Sequence, residues 1–308
     1  MPADQLVIVA GEALIDLVPG DADTLAAHPG GGPFNTARTL GRLECPVAYL
    51  GRISTDRFGT RLADLLAADG VRPDALVHTD DPTTLALAEV DANGVARYRF
   101  WERGTAAPGL TEADALQRLP ENAAFLHVGT LGLVLEPMAS ALEALVVRLA
   151  GRALVMVDPN CRPDVIGDRA AYRRRLSRVL AGADVLKVSE EDVTWLCPGI
   201  SVVEAVRELL GDGPAVALLT RGSAGALVVT ATDQVAVSAP PVVVVDTIGA
   251  GDAFSGGWLT SWSEQGFGRA DLGRLDAVVE ATRFACLVAA RTCARAGASP
   301  PHRGELPD

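Results

Sequence analysis

Short apolar runs that stop at a glycine or a polar residue alternate with segments of helical spacing along most of this chain. Leu6–Gly11 (LVIVAG), Val47–Ser54 (VAYLGRIS), Ala124–Leu131 (AFLHVGTL), Ala153–Asp158 (ALVMVD), Val185–Ser189 (VLKVS) and Ala215–Gly222 (AVALLTRG) read as strands. They are apolar on both faces, as strands covered on two sides must be. Between them, Asn35–Leu43, Phe58–Asp69, Pro137–Leu149, Arg169–Leu180 and Ser201–Leu210 have helical spacing. Parallel strands need a crossover of a dozen or more residues, and helices supply it. The expectation is an α/β chain: one domain over residues 1–308, a three-layer α/β/α sandwich around a mainly parallel sheet.

Two stretches break the rhythm. Leu85–Trp101 (LALAEVDANGVARYRFW) alternates polar and apolar residues about Asn93-Gly94, which reads as an antiparallel hairpin. Ala13–Val18 (ALIDLV) reads as a further strand outside the alternation. Together they predict a small projecting β-sheet built from roughly residues 13–33 and 83–105, either a lid or a plain edge hairpin. The segment from Ala298 (ASPPHRGELPD) reads as a frayed end.

Composition removes several function classes. A formal charge of −12 over 308 residues opposes general nucleic-acid or anionic-membrane binding, which rests on clustered basic residues. Lys187 is the only lysine among 27 basic residues, so no Gly-Lys-Ser/Thr phosphate loop exists, and any Schiff base would have to use Lys187. The five cysteines form no C-x-x-C pair and the four histidines lie far apart, which fits buried thiols in a reducing cytoplasm and shows no zinc spacing. No basic-then-apolar leader opens the sequence and no apolar run approaches 20 residues, so a cytoplasmic, membrane-free protein is expected.

The strongest segment is VVVVDTIGAGDAFSGGWL (Val242–Leu259). Four valines read as a buried strand ending at Asp246, followed by Gly249-Ala250-Gly251 and a helix beginning near Asp252. A glycine turn at a helix N-terminus gathers free N–H groups and the positive end of the helix dipole, which makes an anion site. Asp252 at that spot either caps the helix or acts as general base toward an attacking hydroxyl. Phe254 occupies the third glycine position of a dinucleotide fingerprint, which excludes that motif. A second segment, HPGGGPFNTA (His28–Ala37), has three successive glycines before a helix opened by Asn35: a plain loop, or a backbone left bare for a ligand. Trp258, Trp262 and His127 read as packing residues, and Arg169–Arg178 as a solvated helix face.

Taken together, GGGPFNTARTLGRL…YLGRISTDRFG and DTIGAGDAFSGG resemble the two signatures of the ribokinase-like, PfkB-type carbohydrate kinases, in order and separation, over nearly the whole chain. GEALIDLVPG (Gly11–Gly20), PFN and LHVGTLGLVLEP look most similar to the fructokinase branch. The resemblance implies an ATP-dependent sugar kinase using Mg²⁺ and K⁺, dimeric through the lid. It implies Asp252 as catalytic base, with Gly249, Ala250 and Gly251 supplying anion-hole amides. Asp16, Gly31, Gly32, Asn35 and Arg162 would bind substrate. Ser189, Thr220 and Gly222 would lie along the nucleotide. Cys286 and Cys293, seven apart, read as core positions of one helix, with Cys286 near the adenine. Asp246 and the carbonyl of Ile248 match a potassium loop. Where many members carry Asn-x-x-Glu, this chain reads Ser189-Glu190-Glu191-Asp192, so magnesium would be held through water at Asp192 or by Glu190 or Glu191. Pro33 and Phe34 stand where ribokinase has a lysine, which argues against ribose. Fructose is the first substrate on this reading; 2-keto-3-deoxygluconate, ribose and nucleosides are the alternatives within the class. A catalytically silent sensor and a Lys187 lyase are the alternatives outside it.

Overall fold

Alternation along β1 (Leu6–Ala10) sends Val7 and Val9 to one side of a sheet and Leu6, Ile8 and Ala10 to the other, and both sides are buried. A computed structural model describes residues 5–20, 24–90 and 96–307. In it β1 belongs to an eight-stranded sheet with β4 (Val47–Leu50), β9 (Ala123–Gly129), β10 (Leu154–Asp158), β11 (Val185–Ser189), β12 (Val216–Thr220), β13 (Ala226–Val229) and β14 (Gln234–Val237). The spatial order is β14-β13-β12-β11-β10-β9-β1-β4. The six strands from β12 to β4 pair in parallel, and β13 and β14 close one edge antiparallel.

Helices cover both faces, as the alternation predicts. One face packs Ile8, Leu126, Val155 and Leu186 against α4 (Met138–Leu149), α5 (Arg169–Leu180) and α7 (Val202–Leu210). The other packs Val9, Phe125, Met156 and Leu218 against α1 (Gly32–Arg42), α8 (Ala250–Glu264) and α9 (Leu275–Cys293). Trp258 and Trp262, four apart on α8, are fully buried and stacked at 4.9 Å between ring centroids. The remaining helices are α2 (Arg57–Ala68), α3 (Glu112–Arg118) and α6 (Glu190–Leu196).

A separate four-stranded sheet has the order β3 (Leu25–Gly30), β2 (Leu14–Pro19), β7 (Leu85–Val90), β8 (Ala96–Trp101). Its β7–β8 hairpin pairs Leu85 with Trp101 and Val90 with Ala96; the Asn93-Gly94 turn lies outside the described residues.

Three expectations need correction. Val242–Val245 is not a buried strand: the segment is unpaired in any sheet, and Val243 is 84% exposed. The end of the run is tied elsewhere: the Val245 and Asp246 amides donate to the Cys293 carbonyl at 2.8 and 3.2 Å, and β-propensity alone makes no strand without a paired neighbour. Val47–Ser54 is two strands, because the chain turns at Gly51; β5 (Arg52–Ser54) leaves the main sheet to pair with β6 (Val77–Thr79). The segment from Ala298 is docked: Pro300 and Leu306 are buried, and Arg42 Nη1 donates to the Pro300 carbonyl at 2.8 Å.

Candidate active site

The carboxyl ends of β1, β9, β10 and β11 point the same way, which brings Gly11, Thr130, Asp158 and Ser189 to one rim. Open α/β sheets hold their ligands at such a rim. α8 begins above it. Gly249 is the N-cap, at φ 75°, and offers no side chain to cap the helix. The Ala250 amide donates to the Thr247 carbonyl at 3.2 Å; those of Gly251 and Asp252 meet no acceptor among the described residues, as first-turn amides do when nothing caps them.

Asp252 is the third residue of the helix and is 8% exposed. It receives no first-turn amide, so it is not the cap. Its Oδ2 accepts from Asn35 Nδ2 at 2.9 Å, and its carbonyl accepts from the Thr36 hydroxyl at 3.3 Å. The starts of α1 and α8 are thereby tied together, and a Cβ on Gly32 would stand 3.2 Å from Asp252 Oδ1. Burial pushes the Asp252 carboxyl up to about 6; the Asn35 hydrogen bond opposes that, Asp158 adds to it, and Lys187 and Arg162 oppose it.

Asp252 faces a cavity of roughly 280 Å³ whose walls come from both sheets. Asp16, Gly31, Gly32, Asn35, Arg162, Ile248, Gly249 and Gly251 line it with Asp252. Burial raises Asp16 to about 6, against the opposing pull of His28 and Arg162. Arg162 is drawn in by three acceptors, the carbonyls of Asn160 and Cys161 and the Asn160 side chain.

The other anticipated residues lie elsewhere. Ser189 and Thr220 are register partners at the ends of β11 and β12, and Gly222 follows at an exposed turn with φ 54°. Cys286 is packed in the core of α9, its thiol pushed up to about 11 by burial, and it does not line the cavity. Glu190 is exposed; Asp192 is buried, taking amides from Cys161 and Ser189 and the Ser189 hydroxyl. Asp246 accepts from the amides of Ile248 at 3.0 Å and Gly297 at 2.8 Å.

Sequence reasoning passed over Glu12, and weighed Lys187 only as a Schiff-base amine. Glu12, just past β1, accepts from the Thr130 hydroxyl and from the amides of Gly32 at 3.3 Å and Gly132 at 3.1 Å. It thus joins the triple-glycine segment to the turn after β9. Burial outweighs those donors and raises it to about 7. Its one visible signal is an acid inside the apolar opening run. Lys187 lines the cavity floor, paired with Asp158 at 2.8 Å. His127 is buried as anticipated, but both ring nitrogens lack a hydrogen-bond partner, so it is not a satisfied core group.

The chain is 36% identical over 260 residues to a fructokinase of Rhizobium leguminosarum bv. trifolii, covering 83% of this chain and 79% of the relative. Its fold superposes with a TM-score of 0.87 on a crystal structure of a fructokinase with bound ATP from Xylella fastidiosa (27% identity; 95% and 93% of the two chains). A fructokinase from Vibrio cholerae O395 in fructose-, ADP- and calcium-bound form gives 0.84 (28% identity; 96% and 94%). Residues 4–303 match the family described as pfkB family carbohydrate kinase, and the chain belongs to that family.

Proposed function

We propose that this chain is an ATP-dependent sugar kinase that phosphorylates a primary hydroxyl of a small sugar, fructose first, with Asp252 as general base. The observation that carries the reading is the Asp252 carboxyl itself. It is buried at the mouth of a helix whose next-door amides are free, and it faces a cavity that also holds polar groups suited to a sugar. The named fructokinase relatives, two of them solved with ATP or with fructose and ADP, support this choice of substrates.

Asp16, Asn35 and Arg162 would hold the sugar. Asn35 gives its amide group to Asp252 and keeps an unpartnered Oδ1 for a hydroxyl. Asp252 takes the proton of the primary hydroxyl as that oxygen bonds to the γ-phosphorus of ATP. The bond from that phosphorus to the bridging oxygen breaks, and its electron pair leaves with ADP; the proton later returns to water. Gly251 and Asp252 amides would meet the transferring group, and alignment and charge stabilisation supply most of the acceleration. Ser189, Thr220 and Gly222 would lie along the rest of the nucleotide.

The acidic run at the end of β11 offers the oxygen donors that Mg²⁺ takes, with Asp192, already holding three donors, acting through water and Glu190 more directly. When bound, the ion would neutralise phosphate charge. Potassium at Asp246 and the Ile248 carbonyl belongs to the same proposal. The four-stranded sheet would close over the sugar, and a dimer through it, as the exposed Leu25 and Trp101 suggest, is part of this reading.

Coupled ADP release with Mg²⁺ over about twenty sugars and nucleosides tests it. Fructose should give the highest kcat/KM, and Asp252→Asn should lower kcat by about 10²–10⁴-fold. An Asp252→Asn variant at full rate would sink the assignment of the base.

A further inference from the structure

Neither the proton transfer to Asp252 nor the amides at the start of α8 involve Lys187. It is the only lysine of the chain, 4% exposed, in the middle of the apolar strand β11. A buried ammonium is costly unless paired, and a hydrophobic pair of similar volume would serve the fold at least as well. The Lys187–Asp158 pair therefore calls for a reason beyond stability. The Asp158 Oδ1 atom has no partner, so the pair is not part of a closed structural network.

Its location supplies the reason. Lys187 lines the floor of the cavity that holds Asp252, and a Cβ added at Gly251 would stand 2.8 Å from Nζ. The first turn of α8 thus lies against the ammonium, and glycine at 251 leaves it room. An ammonium has three N–H donors; Asp158 takes one, and no other acceptor engages Nζ among the described residues. Burial alone would favour the neutral amine, but Asp158, with Asp192 and Asp252, holds Lys187 in its charged form. That state suits an anion partner and opposes imine chemistry, which needs a free amine.

We propose that Lys187 is a catalytic residue whose ammonium, held by Asp158 beneath the Gly251 turn, donates a hydrogen bond to a non-bridging oxygen of the transferring phosphoryl group. This rests on the kinase reading. Lys187 keeps its protons throughout; the sugar proton goes to Asp252 and the electron pair of the broken phosphorus–oxygen bond leaves with ADP. The lysine would add a full positive charge where the helix end supplies a partial one, in a chain without a lysine-bearing phosphate loop.

The test compares wild type, Lys187→Met and Lys187→Met/Asp158→Asn by ADP release with fructose and Mg²⁺. The double variant leaves no unpaired buried charge, so it keeps the test open if the single variant fails to fold. Both should lose on the order of 100-fold in kcat while the sugar KM changes less than about threefold, since losing one transition-state donor costs about that much. Lys187→Arg should recover part of the rate.

The split between kcat and KM separates contact with the phosphoryl group from a structural role, and the pH profile reads how the Lys187–Asp158 pair holds Asp252. The groups around Asp252 are Asn35 and Arg162, Asp158 and Lys187. Loss of the cation alone should shift the acid limb of kcat upward; loss of Asp158 with it should return the limb toward its wild-type position. A folded double variant at wild-type kcat would overturn the proposal. An active wild type, a dead Asp252→Asn and a fast double variant would remove Lys187 alone, whereas a wild type inactive on every sugar would remove both readings.

Discussion

Asp252 and Asn35 stand 217 positions apart and share one hydrogen bond, on which the proposed proton transfer depends. A base must be ionised to take a proton, and burial raises Asp252 to about 6. Turnover should therefore fall as pH is lowered through about 6, which a kcat–pH profile will show. The Asn35 hydrogen bond holds that carboxyl down, so Asn35→Ala should move the limb upward by roughly half a unit to one unit, the worth of about 1 kcal/mol. A limb that stays fixed would mean that another group controls it. Both residues were legible beforehand, because each sits in a glycine-rich segment at the start of a helix. Glu12 was not, and Lys187 was visible only as the sole lysine. Their burial and partners depend on how β1, β9, β10 and β11 align, and spacing along the chain does not encode that.

At the scale of elements, the join between the glycine turn and α8 sets the site. Gly249 lies in the left-handed region at φ 75°, and a Cβ there would stand 2.7 Å from that of Ala298. Gly249→Ala should cost about 1–2 kcal/mol for the backbone conformation alone and more for the contact. A lowered Tm together with slower turnover is expected, the second because the Gly251 and Asp252 amides move with the helix start. An unchanged Tm would show that the turn relaxes freely. The strand–helix alternation was readable because a two-sided core demands it. Val242–Val245 misled for the opposite reason: composition favours a strand, but the end of the run bonds to the Cys293 carbonyl and to no strand. β13, β14 and β3 escaped notice because they are short and pair late or at an edge.

For the molecule as a whole, ionisation and stability are linked. Glu12 titrates at about 7 in the fold against 4.5 ordinarily, burial being the main cause. As pH rises from about 4.5 to about 7 the unfolded chain ionises this group while the native protein keeps it protonated, so native stability declines across that window and then levels. Glu12→Gln lacks that proton. The wild-type Tm should fall relative to the variant between pH 5 and 7.5 in ligand-free protein; parallel curves would contradict the assignment. The docked C-terminal segment belongs to the same scale. Arg42 reaches Pro300, and Leu306 joins the cluster of Leu43, Ala253 and Val288. Ending the chain at residue 297 should lower Tm by several degrees, since burying a leucine side chain contributes roughly 2 kcal/mol. A truncated chain melting with wild type would make the segment a passenger. Among the described residues, no helix is long and apolar enough to cross a membrane.

The uncovered valines have one more consequence. The Val245 amide is held by the Cys293 carbonyl, but a run of exposed β-branched residues with any open main-chain groups can template a foreign strand and seed fibrils. Here Pro240 and Pro241 precede the run and Asp246 follows it, residues that block strand addition and repel self-stacking. The stretch that leads into the Gly249–Gly251 turn is thus fenced at both ends against intermolecular stacking.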